Sequence, residues 1–178
     1  LKYEDKGAPK LIHEVMEKIQ WHLLNASCNL AKELGPCEKF SETKYSKGKL
    51  PIDWYKKTVD EIVKPKYSMD WEDLRARIKE FGLRHSTVSA IMPCESSSVI
   101  QNSTNGIEPV RKLLSYKKAK NGVLKQIVPN YHKGRKYYTL AFDMQDNNAI
   151  IKIIAVLQKF VDMSISANLY YNYEHYED

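Results

Sequence analysis

Two short segments, residues 86–92 (Ser-Thr-Val-Ser-Ala-Ile-Met) and 165–169 (Ile-Ser-Ala-Asn-Leu), each follow a helical pattern. Each has the small and β-branched side chains of a strand. The order helix, strand, turn, hairpin, helix, strand belongs to an α/β unit with parallel strands. Two strands alone cannot build a parallel sheet that is covered on both faces. The chain is therefore expected to supply part of a larger sheet. It starts at Leu1 rather than at a methionine, which agrees with a piece cut from something longer.

The helices are marked by periodicity. Over residues 10–34 the apolar side chains Leu11, Val15, Ile19, Leu23, Ala26 and Leu30 recur every three or four positions and stop at Gly35-Pro36. That spacing predicts a long amphipathic helix. Cys28 lies on a neighbouring flank with Leu24 and Ala31, as a small packing residue. A short helix is expected after Pro51, using Tyr55, Val59 and Ile62 and ending before Pro65. Asp70 is placed to cap a helix whose stripe is Leu74, Ile78 and Phe81 and whose stop is Gly82. Asn121-Gly122 between two apolar runs predicts a hairpin at about 113–128. A last, very apolar helix uses Ile150, Ile151, Ile154, Leu157, Phe160 and Val161. No repeat or linker interrupts the chain, so 1–178 reads as a single fragment.

Composition narrows the class. With 43% hydrophobic and 28% charged residues in 178, the chain is neither low-complexity nor wholly disordered. No apolar run approaches the roughly 20 residues that span a bilayer, and a cytoplasmic location is expected. Cys28, Cys37 and Cys94 are odd in number and lack Cys-x-x-Cys spacing, and the five histidines are scattered. No disulfide framework or metal site is expected from them. The net charge of +6 points to a phosphate-bearing partner without choosing one.

The junction Met92-Pro93-Cys94-Glu95-Ser96-Ser97-Ser98 is the most informative stretch. A strand ending there and a helix starting there would expose free backbone N–H groups and the positive end of the helix dipole to an anion. Three serine hydroxyls add adjustable donors. The same serines would serve equally as plain helix caps. The charge of Glu95 opposes a phosphate, and no histidine is committed as a base to make Cys94 a nucleophile.

The wording of this stretch, continued through Asn102-Ser103-Thr104-Asn105-Gly106-Ile107-Glu108-Pro109, resembles the substrate-phosphate loop of the class I ribonucleotide reductase large subunit. The same family is resembled at Phe40-Ser41-Glu42-Thr43 through Gly48-Lys49-Leu50-Pro51-Ile52-Asp53, and at Gly82-Leu83-Arg84-His85-Ser86-Thr87. Gln158-Lys159-Phe160-Val161-Asp162 through Ser164-Ile165-Ser166-Ala167-Asn168 is similar too. The nearest flavour is enterobacterial and T-even bacteriophage. The resemblance implies a partial section of a ten-stranded α/β barrel, with helices, a few parallel strands and the hairpin, from the late part of the catalytic barrel. It implies a reaction that reduces ribonucleoside diphosphates to deoxyribonucleoside diphosphates. Through the intact enzyme it further implies ATP and deoxynucleotide effectors, thioredoxin or glutaredoxin as thiol reductant, a radical from an iron-containing small (beta) subunit, and a homodimer of the intact subunit.

What the resemblance carries onto this chain is the substrate grip of Pro93, Cys94, Glu95, Ser96 and Ser97. Backbone amides from Cys94 onward, with the Ser96 and Ser97 hydroxyls, are expected to hold the substrate's diphosphate. Many relatives have a hydroxyl residue where Cys94 stands, and a thiol is the poorer donor. None of the radical or redox cysteines of the family is matched, so no catalytic residue is expected here and the isolated fragment is expected to be inactive. Tyr170-Tyr171 follows Ser166-Ala167-Asn168 and so is not matched to the family's radical-relay tyrosine pair. Two other readings compete. Nine Lys or Arg and no Asp or Glu between Val110 and Phe142, interleaved with tyrosines, describe a basic module for nucleic acid. A non-catalytic module docking through exposed strand edges is the other.

Overall fold

The computed structural model describes residues 2–119 and 122–172, without the side chains of Glu95, Ser96, Lys117, Ala119 and Leu124. These residues gather into two compact units. One takes the described residues of 1–5, 91–151 and 166–178, and the other residues 6–90 and 152–165.

The larger unit is organised by α1 (Ala8–Leu34), which closes at Gly35 as the Gly35-Pro36 stop requires. Two 3₁₀ turns, Phe40–Glu42 and Tyr45–Lys47, lead to α2 (Pro51–Trp54). The single short helix expected from Pro51 is in fact α2 followed by a 3₁₀ turn, Lys57–Glu61, with Tyr55 extended between them. The break has a cause. The Tyr55 hydroxyl donates to the Asp60 carboxylate at 2.8 Å, and Lys159 closes on the same carboxylate at 2.8 Å. α3 (Trp71–Phe81) starts where expected, the Asp70 side chain accepting from the Asp73 N–H. It stops at Gly82, whose φ of 77° and tight approach to Pro36 leave no room for a side chain. Leu24, Cys28, Leu50, Leu74, Ile78, Leu83 and Phe160 fill the core between these elements.

α1 does not bury the side that its periodicity marks. Leu11, Val15, Ile19, Leu23 and Leu30 remain 39–46% exposed. The buried row is His13, Glu17, Gln20, Leu24, Ser27, Cys28 and Ala31. His13 packs its ring against Tyr67 and Phe160, while Glu17, Gln20 and Ser27 stay buried through hydrogen bonds. The Glu17 carboxylate accepts from the N–H groups of Ser68 (2.7 Å) and Met69 (2.9 Å), the Ser68 hydroxyl (3.1 Å) and Trp71 Nε1 (3.3 Å). Gln20 donates to Asp162 at 3.1 Å, and the Ser27 oxygen accepts from the His85 N–H at 3.1 Å.

In the smaller unit, α4 (Glu95–Ile100) precedes an antiparallel hairpin of β1 (Leu114–Ala119) and β2 (Gly122–Ile127). Leu114 pairs with Ile127 and Ala119 with Gly122, close to the expected register; Asn121 of the expected turn lies outside the described residues. α5 (Tyr131–Gly134) follows, and α6 (Asn148–Gln158) holds Ile150, Ile151, Ile154 and Leu157 of the expected last helix, whereas Phe160 and Val161 lie beyond its end.

The few parallel strands expected at 86–92 and 165–169 do not form among the described residues. Their amides are spent on side chains instead of a ladder. Val88 and Ser89 donate to the Asp162 carboxylate at 2.6 and 3.3 Å. Ile165 donates to Gln158 at 3.0 Å, and Asn168 to Glu108 at 2.9 Å. Without neighbouring strands, these carboxylates and the amide take the place of a sheet partner.

Two outcomes follow from the buried row. Glu17→Ala removes the acceptor of four donors, the buried Trp71 Nε1 among them, and is expected to lower the unfolding free energy by about 3 kcal/mol in urea titrations. His13 is buried, and burial first, then the nearby Lys159 ammonium, pushes its imidazole below the ordinary value, against the opposing pull of Glu17, Asp60 and Glu14. Below about pH 6.5 the unfolded imidazole takes a proton that the folded one refuses. Stability is therefore expected to decline as pH falls from 6.5 toward the depressed folded value. His13→Phe should flatten that decline when urea midpoints at pH 7.5 and 5.5 are compared.

Candidate anion-binding site

The junction 92–98 lies within the smaller unit, with Pro93, Cys94 and Ser97 exposed. Cys94 is the N-cap of α4 but bonds nothing in the helix through its side chain; its thiol leans on the Met92 carbonyl at 3.2 Å. The Cys94 carbonyl starts the helix by accepting from the Ser98 N–H at 2.7 Å, and the Ser97 hydroxyl donates to the same oxygen at a long 3.3 Å. Ser98 is buried. The side chains of Glu95 and Ser96 lie outside the described ones.

A second loop grips this junction. Asn105 Oδ1 accepts the Cys94 N–H at 2.8 Å, and the Ser103 N–H donates to the Ser98 carbonyl at 2.8 Å. The loop folds back through Asn102 and Gly106, both at positive φ (49° and 69°). The Cys94 amide, counted among the anion donors from sequence, is thus already bonded. The donors of the first turn proper, the N–H groups of Glu95, Ser96 and Ser97, have no carbonyl of their own helix to meet, by the geometry of any α-helix.

Beyond the loop, Glu108 is a tie point. Its carboxylate accepts from the Asn168 N–H (2.9 Å), the Asn168 side chain (2.8 Å) and the Tyr170 hydroxyl (2.8 Å). Burial pushes the carboxyl up, but these donors and the nearby Arg111 outweigh it and hold Glu108 below the usual glutamate range. Arg111 also donates to the Tyr170 hydroxyl at 3.2 Å and lies over its ring. Tyr170 is therefore a clamped anchor, its hydroxyl pushed up by burial and by the bond to Glu108. Asn105, Glu108 and Asn168 sit inside the stretches that carry the family resemblance, yet the sequence offers no signal of who bonds whom.

In the larger unit a cleft of about 520 Å³ is lined by Asp53, Tyr55, Lys57, Asp60, Tyr67 and Arg75. Its charges are already engaged: Arg75 with Asp53 and Glu72, Lys57 with the Ile52 carbonyl, Asp60 with Lys159. Among the described residues no group of three or more His, Cys, Asp or Glu is arranged to hold a metal ion, and no helix is long and apolar enough to cross a membrane.

All of residues 1–178 match the ribonucleotide reductase barrel domain, and the chain belongs to that family. Its relatives are ribonucleoside-diphosphate reductase alpha subunits. That of Haemophilus influenzae is 49% identical over 178 residues, covering 100% of this chain and 24% of the relative. Those of Salmonella typhimurium and Enterobacteria phage T4 are 50% and 49% identical over 171 and 172 residues, each covering 96% of the chain and 22% of the relative. The chain therefore spans about a quarter of the length of these relatives. The family match takes in residues 110–142, so the basic hairpin belongs to the barrel domain, and a nucleic-acid module is not supported.

The grip of the second loop is open to a direct check. Asn105→Ala is expected to speed hydrogen exchange of the Cys94 amide by about five- to ten-fold, followed by NMR. Unchanged exchange would mean that another acceptor holds that amide.

Proposed function

We propose that this chain is the portion of a ribonucleoside-diphosphate reductase large subunit that receives the substrate's diphosphate, at Pro93, Cys94, Glu95, Ser96 and Ser97. The observation that carries the reading is the start of α4, where the first-turn amides and the exposed Ser97 lie at a helix N-terminus. Identity of 49% to the Haemophilus influenzae reductase alpha subunit over all 178 residues, this stretch among them, supports it.

In this reading the anion is received by the amides of Glu95, Ser96 and Ser97. Asn105 occupies the Cys94 amide and so keeps the cap in place. That division makes the exchange of a hydroxyl for a thiol at position 94 tolerable, because the position contributes its carbonyl and backbone geometry rather than its side chain. The weak 3.3 Å bond of the Ser97 hydroxyl to Cys94 leaves it free to turn toward a phosphate oxygen. Pro93 fixes φ just before the cap and removes a competing donor. Glu95 at the first position suits the helix dipole.

The chemistry at the ribose would come from other parts of the subunit and its partners. The reading implies a radical from an iron-containing beta subunit, reduction by thioredoxin or glutaredoxin, nucleotide effectors, a homodimer of the intact subunit and a cytoplasmic location. It also takes 1–178 as one late fragment of the catalytic barrel.

The test is kinetic, in the intact subunit. Ser96→Ala with Ser97→Ala removes contacts made equally in ground and transition states, each a charge-assisted hydrogen bond of roughly 1.5–3 kcal/mol. The expected result is a rise of about ten-fold or more in KM for nucleoside diphosphates with a much smaller fall in kcat. An unchanged KM would reduce these serines to helix caps.

A further inference from the structure

We propose that Asn105 is a further residue of the diphosphate site: its Oδ1 holds the cap amide of α4, and its uncharged Nδ2 donates to the incoming anion. That role rests on the diphosphate reading and adds to it a residue from outside the stretch 93–97.

The cap needs an acceptor from elsewhere. Where a helix satisfies its own N-cap amide, a Glu or Gln at the third helical position reaches back to it. Here Cys94 is the N-cap and the third position is Ser97, whose hydroxyl donates to the Cys94 carbonyl at 3.3 Å and leaves the Cys94 N–H unserved. The side chain that takes this N–H comes from 11 positions further on, through Asn105 Oδ1 at 2.8 Å. An acid at position 97 or 105 would do the same structural work, and would set a carboxylate against the anion. Asn105 does it without charge, at a junction that already carries Glu95.

The same bond fixes which way the amide faces. A backbone N–H only donates, so the atom that meets Cys94 is the oxygen, and both N–H groups of Nδ2 are left over. Among the described residues no acceptor takes them, and Asn105 is exposed. The loop is held on either side of it. The Ser103 N–H donates to the Ser98 carbonyl at 2.8 Å, and the Ile107 carbonyl accepts from the Tyr3 hydroxyl at 2.9 Å. Glu108, tied to Asn168 and Tyr170, fixes the loop's far end. An anion that meets Asn105 therefore does not have to order the loop first.

Asn105→Asp in the intact subunit separates the two ends of the amide, because it keeps the accepting oxygen and the size but replaces the NH2 group by a charged oxygen. Two quantities are read: steady-state kinetics with nucleoside diphosphates, and hydrogen exchange of the Cys94 amide by mass spectrometry of peptides spanning 92–98. Exchange should stay within about two-fold of the parent. KM should rise by about ten-fold with kcat within about two-fold. As salt is raised from about 0.05 to 0.5 M the ratio of variant to parent KM should fall, since the added charge is screened. It should stop at about three-fold or more, the remainder being the lost donor. An unchanged KM overturns the proposal. So does a rise in KM accompanied by faster exchange, which would make Asn105 a prop of the cap alone. A ratio that returns to one at high salt also overturns it, by removing the donation. If Ser96→Ala with Ser97→Ala raises KM while Asn105→Asp does not, the site stands without Asn105; if neither raises it, the diphosphate reading falls as well.

Discussion

The carboxylate of Asp162 holds the larger unit together. It accepts from Gln20 of α1, from the Tyr45 hydroxyl and from the backbone N–H groups of Val88 and Ser89. One side chain just past α6 thereby joins the long helix, a 3₁₀ turn and the segment that leads toward Pro93. The Gln20 and Tyr45 donors are buried, and losing this acceptor would leave both unsatisfied. Asp162 also takes the place of a ladder partner for residues 88 and 89.

The same logic explains why α1 turns a polar row inward. Glu17, Gln20 and Ser27 are buried because each meets a directional partner: the turn before α3, Asp162 and residues 84–85. Apolar side chains need only a surface, and can wait for one. Polar groups cannot be buried on trust, since an unpaired one costs more than an exposed leucine. The network settles which face of the helix this chain uses for itself.

Much of the local structure was legible. α3 begins at its capping residue Asp70, and α1 and α3 end at the stops that Gly35 and Gly82 mark, because those signals act over one turn of chain. The hairpin follows from two apolar runs around Asn121-Gly122 for the same reason. The section-of-a-barrel reading came from motif wording, together with the shortage of strands. The paired roles of Asn105 with Cys94, of Glu108 with Asn168 and Tyr170, and of Lys159 with Asp60 were not legible. Their partners lie 11, 60 to 62 and 99 positions apart, and no local rule pairs residues over such distances.

From sequence alone, the chain's helices, its hairpin, its serine-rich helix start and its kinship to the reductase barrel could be stated, since all are written in short stretches. Only the tertiary structure decided that Leu11, Val15, Ile19 and Leu23 stay outward while His13, Glu17 and Gln20 go in, and that Asn105 claims the Cys94 amide. Periodicity tells which side chains share a face; burial depends on what the rest of the fold brings to meet that face.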